Sequence, residues 1–308
     1  MKKVLSILLL LLWKLSFSQD TCKPRYDLPV HYEQLSQGLH LAFVEQGNGK
    51  PVLFIHGLGG NISHWLKSVH ELSKKYHCLA IDLPGYGYSD KTFSPAGKDQ
   101  VQFFADILAD FITHRKLGKL ILAGHSMGGQ IAMVMAIQHP ELVSKLVLVS
   151  PAGLETFTES EATLMAGATP ASLFEKQDEK MIRYNFKQNF YEQPAGAEML
   201  IQDRIRLSAC SDFKQYAAAV SNSIKAMLGH PVKNELSKIK QPVLIIFGEN
   251  DALIPNRIMH KNLTREDLLK DTKISLPQAK IVLISKAGHM VQFEKPVETN
   301  NAIKHFLQ

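Results

Sequence analysis

Residues Leu120 to Gly129 read Leu-Ile-Leu-Ala-Gly-His-Ser-Met-Gly-Gly, and this stretch restricts the fold more than any other. An apolar run ends at Ala123, a tight connection follows through Gly124-His125-Ser126-Met127-Gly128, and a helix is expected from Gln130 to His139 until Pro140 stops it. Small residues two before and two after Ser126 let the backbone bend without a Cβ clash. Such a turn lifts a serine hydroxyl out of a sheet and sets it over a helix N-terminus, among amide donors and the positive end of the helix dipole.

The flanking sequence alternates strands and helices. Strands are expected at Leu39 to Glu45, Pro51 to Ile55, Cys78 to Ile81, Lys145 to Val149, Gln241 to Phe247 and Ile281 to Ile284, and helices at Asn61 to Tyr76 and Val101 to His114. The continuous apolar runs suit parallel strands covered on both faces. The fold class is therefore α/β, a doubly wound, mostly parallel sheet whose ligand crevice lies at the carboxyl ends of the strands. His56, Asp82, Ser126 and Ser150 all fall just past such ends. From Leu154 to about Lys238 strand-type runs vanish and helical spacing replaces them, at Lys180 to Phe190, Gly196 to Leu207 and Phe213 to Met227. The expected organisation is a core over residues 19–153 and 239–308 with an inserted helical cap at 154–238. Residues 19–37 read as an arm without clear periodicity. The segment Leu263 to Gln278 has no functional account in the sequence.

The Gly-x-Ser-x-Gly connection between strand and helix resembles the nucleophile elbow of the α/β-hydrolase family, in its serine hydrolase and esterase branch with a helical cap. The resemblance covers roughly residues 39–153 and 236–308. A serine hydroxyl needs a base within hydrogen-bond reach, and the base needs an orienting group. In this family the acid and then the histidine follow the nucleophile. Phe247-Gly248-Glu249-Asn250-Asp251 follows one buried strand, and Lys286-Ala287-Gly288-His289 follows the last, so the implied set is Ser126, Asp251 and His289. Glu249 is the substitute acid. The resemblance implies that His56 and His125 are spacers without a proton-transfer role, and that Asp82 pins loops through backbone hydrogen bonds.

An attacked carbonyl becomes an oxyanion that needs preorganised donors. The expected donors are the Met127 amide, opening the elbow helix, and the Leu58 amide, in the turn His56-Gly57-Leu58-Gly59-Gly60. The cap is expected to set the substrate through Leu164, Met165, Phe174 and Met227. Serine at the elbow argues against the aspartate-using dehalogenases and epoxide hydrolases. Carbon–carbon bond hydrolases usually carry a proline in the oxyanion-loop glycine motif and a tryptophan after the histidine; here Asn61 follows Gly60 and Met290 follows His289. The implied function is cleavage of a small-molecule carboxylic ester through an acyl-enzyme, without metal or organic cofactor. Carbon–carbon bond or amide hydrolysis with the same triad, or a catalytically silent binding protein on the same fold, are the alternatives.

Met1 to Ser18 has the layout of a signal peptide: Lys2 and Lys3, an apolar core from Val4 to Trp13, then Ser16-Phe17-Ser18. The apolar run is shorter than the roughly 20 residues of a membrane span. A secreted or periplasmic enzyme of bacterial export type, without a stable membrane anchor after cleavage, is expected. The formal charge of +6 falls to +3 once Lys2, Lys3 and Lys14 are set aside, and no basic run with interleaved aromatics points to nucleic acid. The three cysteines, Cys22, Cys78 and Cys210, leave at least one unpaired. Cys78 reads as a buried core thiol; whether Cys22 and Cys210 pair is open.

Overall fold

The computed structural model describes residues 22–91 and 99–308, so the expected signal peptide at 1–18 lies outside the described residues. Eight strands form one sheet: β1 (His31–Gln34), β2 (His40–Gln46), β3 (Pro51–Ile55), β4 (His77–Ile81), β5 (Leu120–His125), β6 (Val143–Val149), β7 (Val243–Gly248) and β8 (Lys280–Ile284). Their spatial order is β1-β2-β4-β3-β5-β6-β7-β8. The β1–β2 and β2–β4 pairs are antiparallel, and every later pair is parallel. The chain reverses its direction of travel across the sheet between β3 and β5. Crevices open at such switch points.

The apolar runs of β3 to β7 bury because both faces are covered, and alternate residues serve opposite layers, whereas the edge strand β8 stays partly exposed. Leu53, Ile55 and Leu122 pack with α2 (Gln100–His114) and α3 (Met127–Gln138). Val52, Phe54, Ile121 and Ala123 pack on the other side with α1 (Leu66–Leu72) and the C-terminal helix, residues 296–307. Five helices lie between β6 and β7: α4 (Glu159–Ala168), α5 (Ala171–Glu175), α6 (Glu179–Lys187), α7 (Ala197–Ser208) and α8 (Phe213–Gly229). Then come α9 (Arg265–Ser275), α10 (Val291–Glu294) and α11 (Pro296–Leu307).

Several elements differ from their sequence expectation. The single helix expected from Asn61 to Tyr76 is a 3-10 turn at Ile62–His64 followed by the shorter α1. Trp65 stands at the break, and its indole N–H donates to Ile55 O at 3.0 Å. β1 comes from the arm; it lies at the sheet edge, mostly exposed, so it lacks an apolar alternation to betray it. α9 fills the unexplained 263–278 segment. It is started by a capping box between Thr264 and Asp267 and buries Leu268, Leu269 and Thr272. Cys22 is disulfide-bonded to Cys210 in the turn between α7 and α8, and Cys78 is free and buried.

Candidate active site

β5 runs to His125 and α3 begins at Met127, so Ser126 alone forms the kink, at φ 52° and ψ −117°. A non-glycine residue held there costs about 1–3 kcal/mol and persists only where its surroundings enforce it. Here they do. The Ser126 carbonyl accepts from the amides of Gly129, Gln130 and Ala152 at 2.9, 3.2 and 3.1 Å. Glycines flank it because nothing larger fits: a Cβ on Gly124 would lie 2.2 Å from Gly128 O, and one on Gly128 2.3 Å from Ile55 O. The same close approach starts α3 three residues before the helix position expected from sequence.

The loops after β7 and β8 bring a carboxylate to an imidazole. Glu249 N donates to Ile284 O and Asn250 N to Ala287 O, each at 2.9 Å, knitting the loops together. Asp251 Oδ1 accepts from the amides of Leu253 and Ile254 at 2.8 and 3.1 Å, and Oδ2 lies 2.9 Å from His289 Nδ1. Burial pushes the Asp251 carboxyl upward, but the His289 charge, its hydrogen bond and the two amides outweigh burial and hold it below the ordinary carboxylate value. Glu249 is exposed, two residues away. Of the two carboxylates, Asp251 is the one that meets His289.

Ser126 and His289 line one open cavity, together with Leu58, Met165, Met227 and Ile254. Among the described residues neither Ser126 Oγ nor His289 Nε2 has a hydrogen-bond partner. Such contacts often close only when substrate is bound. Leu58 sits at the cavity wall, and Met127 opens α3, where a first-turn amide has no intrahelical acceptor.

Of the four side chains expected to shape the substrate site, Met165 and Met227 line this cavity. Phe174 lines a neighbouring one, with Leu58 and Met290. Leu164 lines neither. One position along α4 is a turn of about 100°, which carries Leu164 to the outer face, where it is 63% exposed.

The spacers have partners of their own. His56 Nε2 accepts from Leu83 N at 3.0 Å while Nδ1–H donates to Gly57 O at 2.8 Å. Asp82 accepts from the amides of Ile62 and Tyr88 and from the Tyr26 hydroxyl. His125 Nε2–H donates to the His289 carbonyl at 3.1 Å, and burial, with the nearby His289, holds the His125 ring well below its ordinary pKa. It fastens His289 rather than competing with it.

Sequence reasoning did not find two further anchors. Glu294 in α10 accepts from the amides of Gly288, Tyr191 and Glu192, tying the His289 loop to the inserted helices. Glu155, 7% exposed at the cavity wall, accepts from Asn256 N and from His260 Nδ1. Glu294 reaches residues 191 and 192, and Glu155 reaches residues 256 and 260, so no local spacing announces these links.

A family profile described as alpha/beta hydrolase fold matches residues 50–296. The chain is 30% identical to a putative esterase/lipase of Haemophilus influenzae, over 86% of this chain and 85% of that one. It is 26% identical to the (E)-2-((N-methylformamido)methylene)succinate hydrolase of Acinetobacter baylyi, over 89% and 97%. It spans 64% of the acetoin-cleaving acetyltransferase component of Pseudomonas putida, at 26% identity. Among solved structures, a bacterial membrane phospholipase A is 28% identical with a TM-score of 0.74, covering 100% of this chain and 98% of that one. A probable hydrolytic enzyme of Pseudomonas aeruginosa is 25% identical with a TM-score of 0.78, covering 92% and 96%. With a family match over most of its length, on a sheet of the same type, the chain belongs to the alpha/beta hydrolase fold family and is a hydrolase.

Proposed function

We propose that this enzyme is a serine hydrolase that cleaves carboxylic esters of small molecules through an acyl-enzyme. Ser126 Oγ attacks the carbonyl carbon and passes its proton to His289 Nε2. Asp251 holds the His289 ring and stabilises the imidazolium that forms. The Leu58 and Met127 amides receive the oxyanion; each such donor is worth roughly 3 kcal/mol. His289 then protonates the leaving alcohol, and water, deprotonated by His289, releases the acid. The single observation that carries this reading is the buried 2.9 Å contact between Asp251 Oδ2 and His289 Nδ1, beside a cavity that Ser126 also lines.

The test is covalent labelling with a fluorophosphonate. Wild type is expected to label and Ser126→Ala to remain blank, and an ester panel of graded acyl length then reads the preference. No labelling of wild type returns the chain to a binding role. The A. baylyi relative, named for an N-methylformamido-substituted succinate, keeps amide substrates in the panel.

The helices of residues 154–238 act as the cap in this reading. Export from the cell is the accompanying proposal: the Lys2-Lys3 start and short apolar core support it, and so does the Cys22–Cys210 disulfide, since such bonds persist in oxidising compartments.

A further inference from the structure

Arg204 of α7 carries a buried charge with no carboxylate opposite it. The residue is 9% exposed. Nη2 donates to Gln177 Oε1 at 3.3 Å, and Nη1 is buried without a hydrogen-bond partner. The guanidinium carbon lies 4.6 Å from the ring centre of Phe213 and 5.2 Å from that of Tyr216. Neighbouring Asp203 is already engaged, by Arg206 and by the Arg25 amide. A guanidinium keeps its charge in any protein, and aromatic faces alone compensate a buried charge poorly. Its planar donor fork suits a planar carboxylate.

Arg204 lines the cavity that also holds Phe174 and Met290, and Leu58 is a wall common to this cavity and the one beside Ser126. No Asp or Glu is among the described residues lining it. His64, 8% exposed, adds a ring nitrogen, Nδ1, with no partner. Two buried polar side chains, each with a nitrogen that has no hydrogen-bond partner, thus border one cavity, next to the candidate oxyanion amide.

We propose that this cavity is a carboxylate subsite, and that the substrate bears a free carboxylate on the part that runs past Leu58 to Arg204. The proposal rests on the reading of Ser126 as nucleophile and narrows its substrate class to monoesters of dicarboxylic acids and kindred anionic acyl compounds.

The test compares 4-nitrophenyl hydrogen glutarate with its methyl-capped diester on the full chain. Wild type is expected to favour the free carboxylate by roughly tenfold or more in kcat/KM, with the margin narrowing as salt rises. Arg204→Gln brings that ratio near one. Arg204→Lys, which keeps the charge but loses the fork, gives an intermediate ratio. A wild-type ratio near one, or an unaltered ratio in Arg204→Gln, overturns the subsite. A second arm needs no turnover: glutarate is titrated by calorimetry into Ser126→Ala and into the Ser126→Ala/Arg204→Gln double variant. Binding that weakens roughly tenfold in the double variant supports the subsite even where no ester is cleaved, and it is then the ester reading that falls. Equal binding, or none to either, overturns the subsite and leaves the ester reading standing.

Discussion

Arg265 grips the backbone of the loop that carries Asp251: Nη2 donates to the Asp251 carbonyl at 2.8 Å, and Nη1 to the Glu249 carbonyl. Arg265 is the first residue of α9, the element whose purpose the sequence did not disclose. The helix therefore supplies a clamp on the main-chain carbonyl three bonds from the carboxylate that meets His289. Removing a charged hydrogen bond of this kind costs about 1.5–3 kcal/mol when buried, less here because Arg265 is only part-buried. Arg265→Met is expected to lower kcat about tenfold with little change in KM, and Arg265→Lys to recover part of the loss. A KM effect with kcat intact would assign Arg265 to substrate binding instead.

Acyl-chain preference provides a second prediction. Met165 and Met227 line the Ser126 cavity, whereas Leu164 points outward. Met227→Trp is expected to cut kcat/KM for octanoyl esters about tenfold relative to acetyl esters, since overfilling a packed wall excludes length first. Leu164→Ala is expected to leave the chain-length profile where it was. A changed profile in Leu164→Ala, measured on the same ester series, would mean that α4 turns over during catalysis.

What was legible in the sequence divides by the range of the interaction. The places of Ser126, Asp251 and His289 just past the ends of β5, β7 and β8 are legible because strand ends are marked by local apolar runs and glycines. The fold followed from the same runs. Leu164 was misplaced because α4 buries none of its residues fully, so apolar character did not report its inward face. Arg265, Glu294 and Glu155 were missed because each acts on backbone brought near by the fold from another segment. No sequence feature singles out Arg204; its burial between two cavities does.

Acid sensitivity follows from the histidines around the elbow. Burial, with His56 nearby, lowers His64 from an ordinary 6.5 to about 3, and His56 and His125 are lowered in the same direction. The unfolded chain therefore binds protons below pH 6.5 that the folded chain refuses. Stability is full above pH 6.5 and declines as pH falls from 6.5 toward 3, by at most about 1.4 kcal/mol per pH unit for each such ring. Asp251, also lowered, adds its own loss only below the ordinary carboxylate value of 3.8. Urea midpoints measured between pH 7 and 5 are expected to fall in wild type and to fall less in His64→Gln. A flat profile over that range would show that all three rings take up protons in the folded chain.

The Cys22–Cys210 bridge links residues 188 apart in sequence. Cross-links of long loops stabilise mainly by restricting the unfolded chain, typically by about 2–4 kcal/mol. This one also fastens the arm to the turn between α7 and α8, beside Lys23 with Asp212 at 4.0 Å and the Arg25 amide with Asp203 at 3.5 Å. Once the bond is cut, the arm keeps these contacts and the Tyr26 hydroxyl on Asp82, but loses its covalent link to the turn between α7 and α8. Reduction is expected to lower the melting temperature by about 5–10 °C and to open the arm to limited proteolysis before the core. The Cys22→Ser/Cys210→Ser protein should melt where reduced wild type does and ignore reductant. Were oxidised wild type to melt with it, the arm would already be held by its other contacts, and Asp82, with three donors converging on it, would be the anchor to remove next.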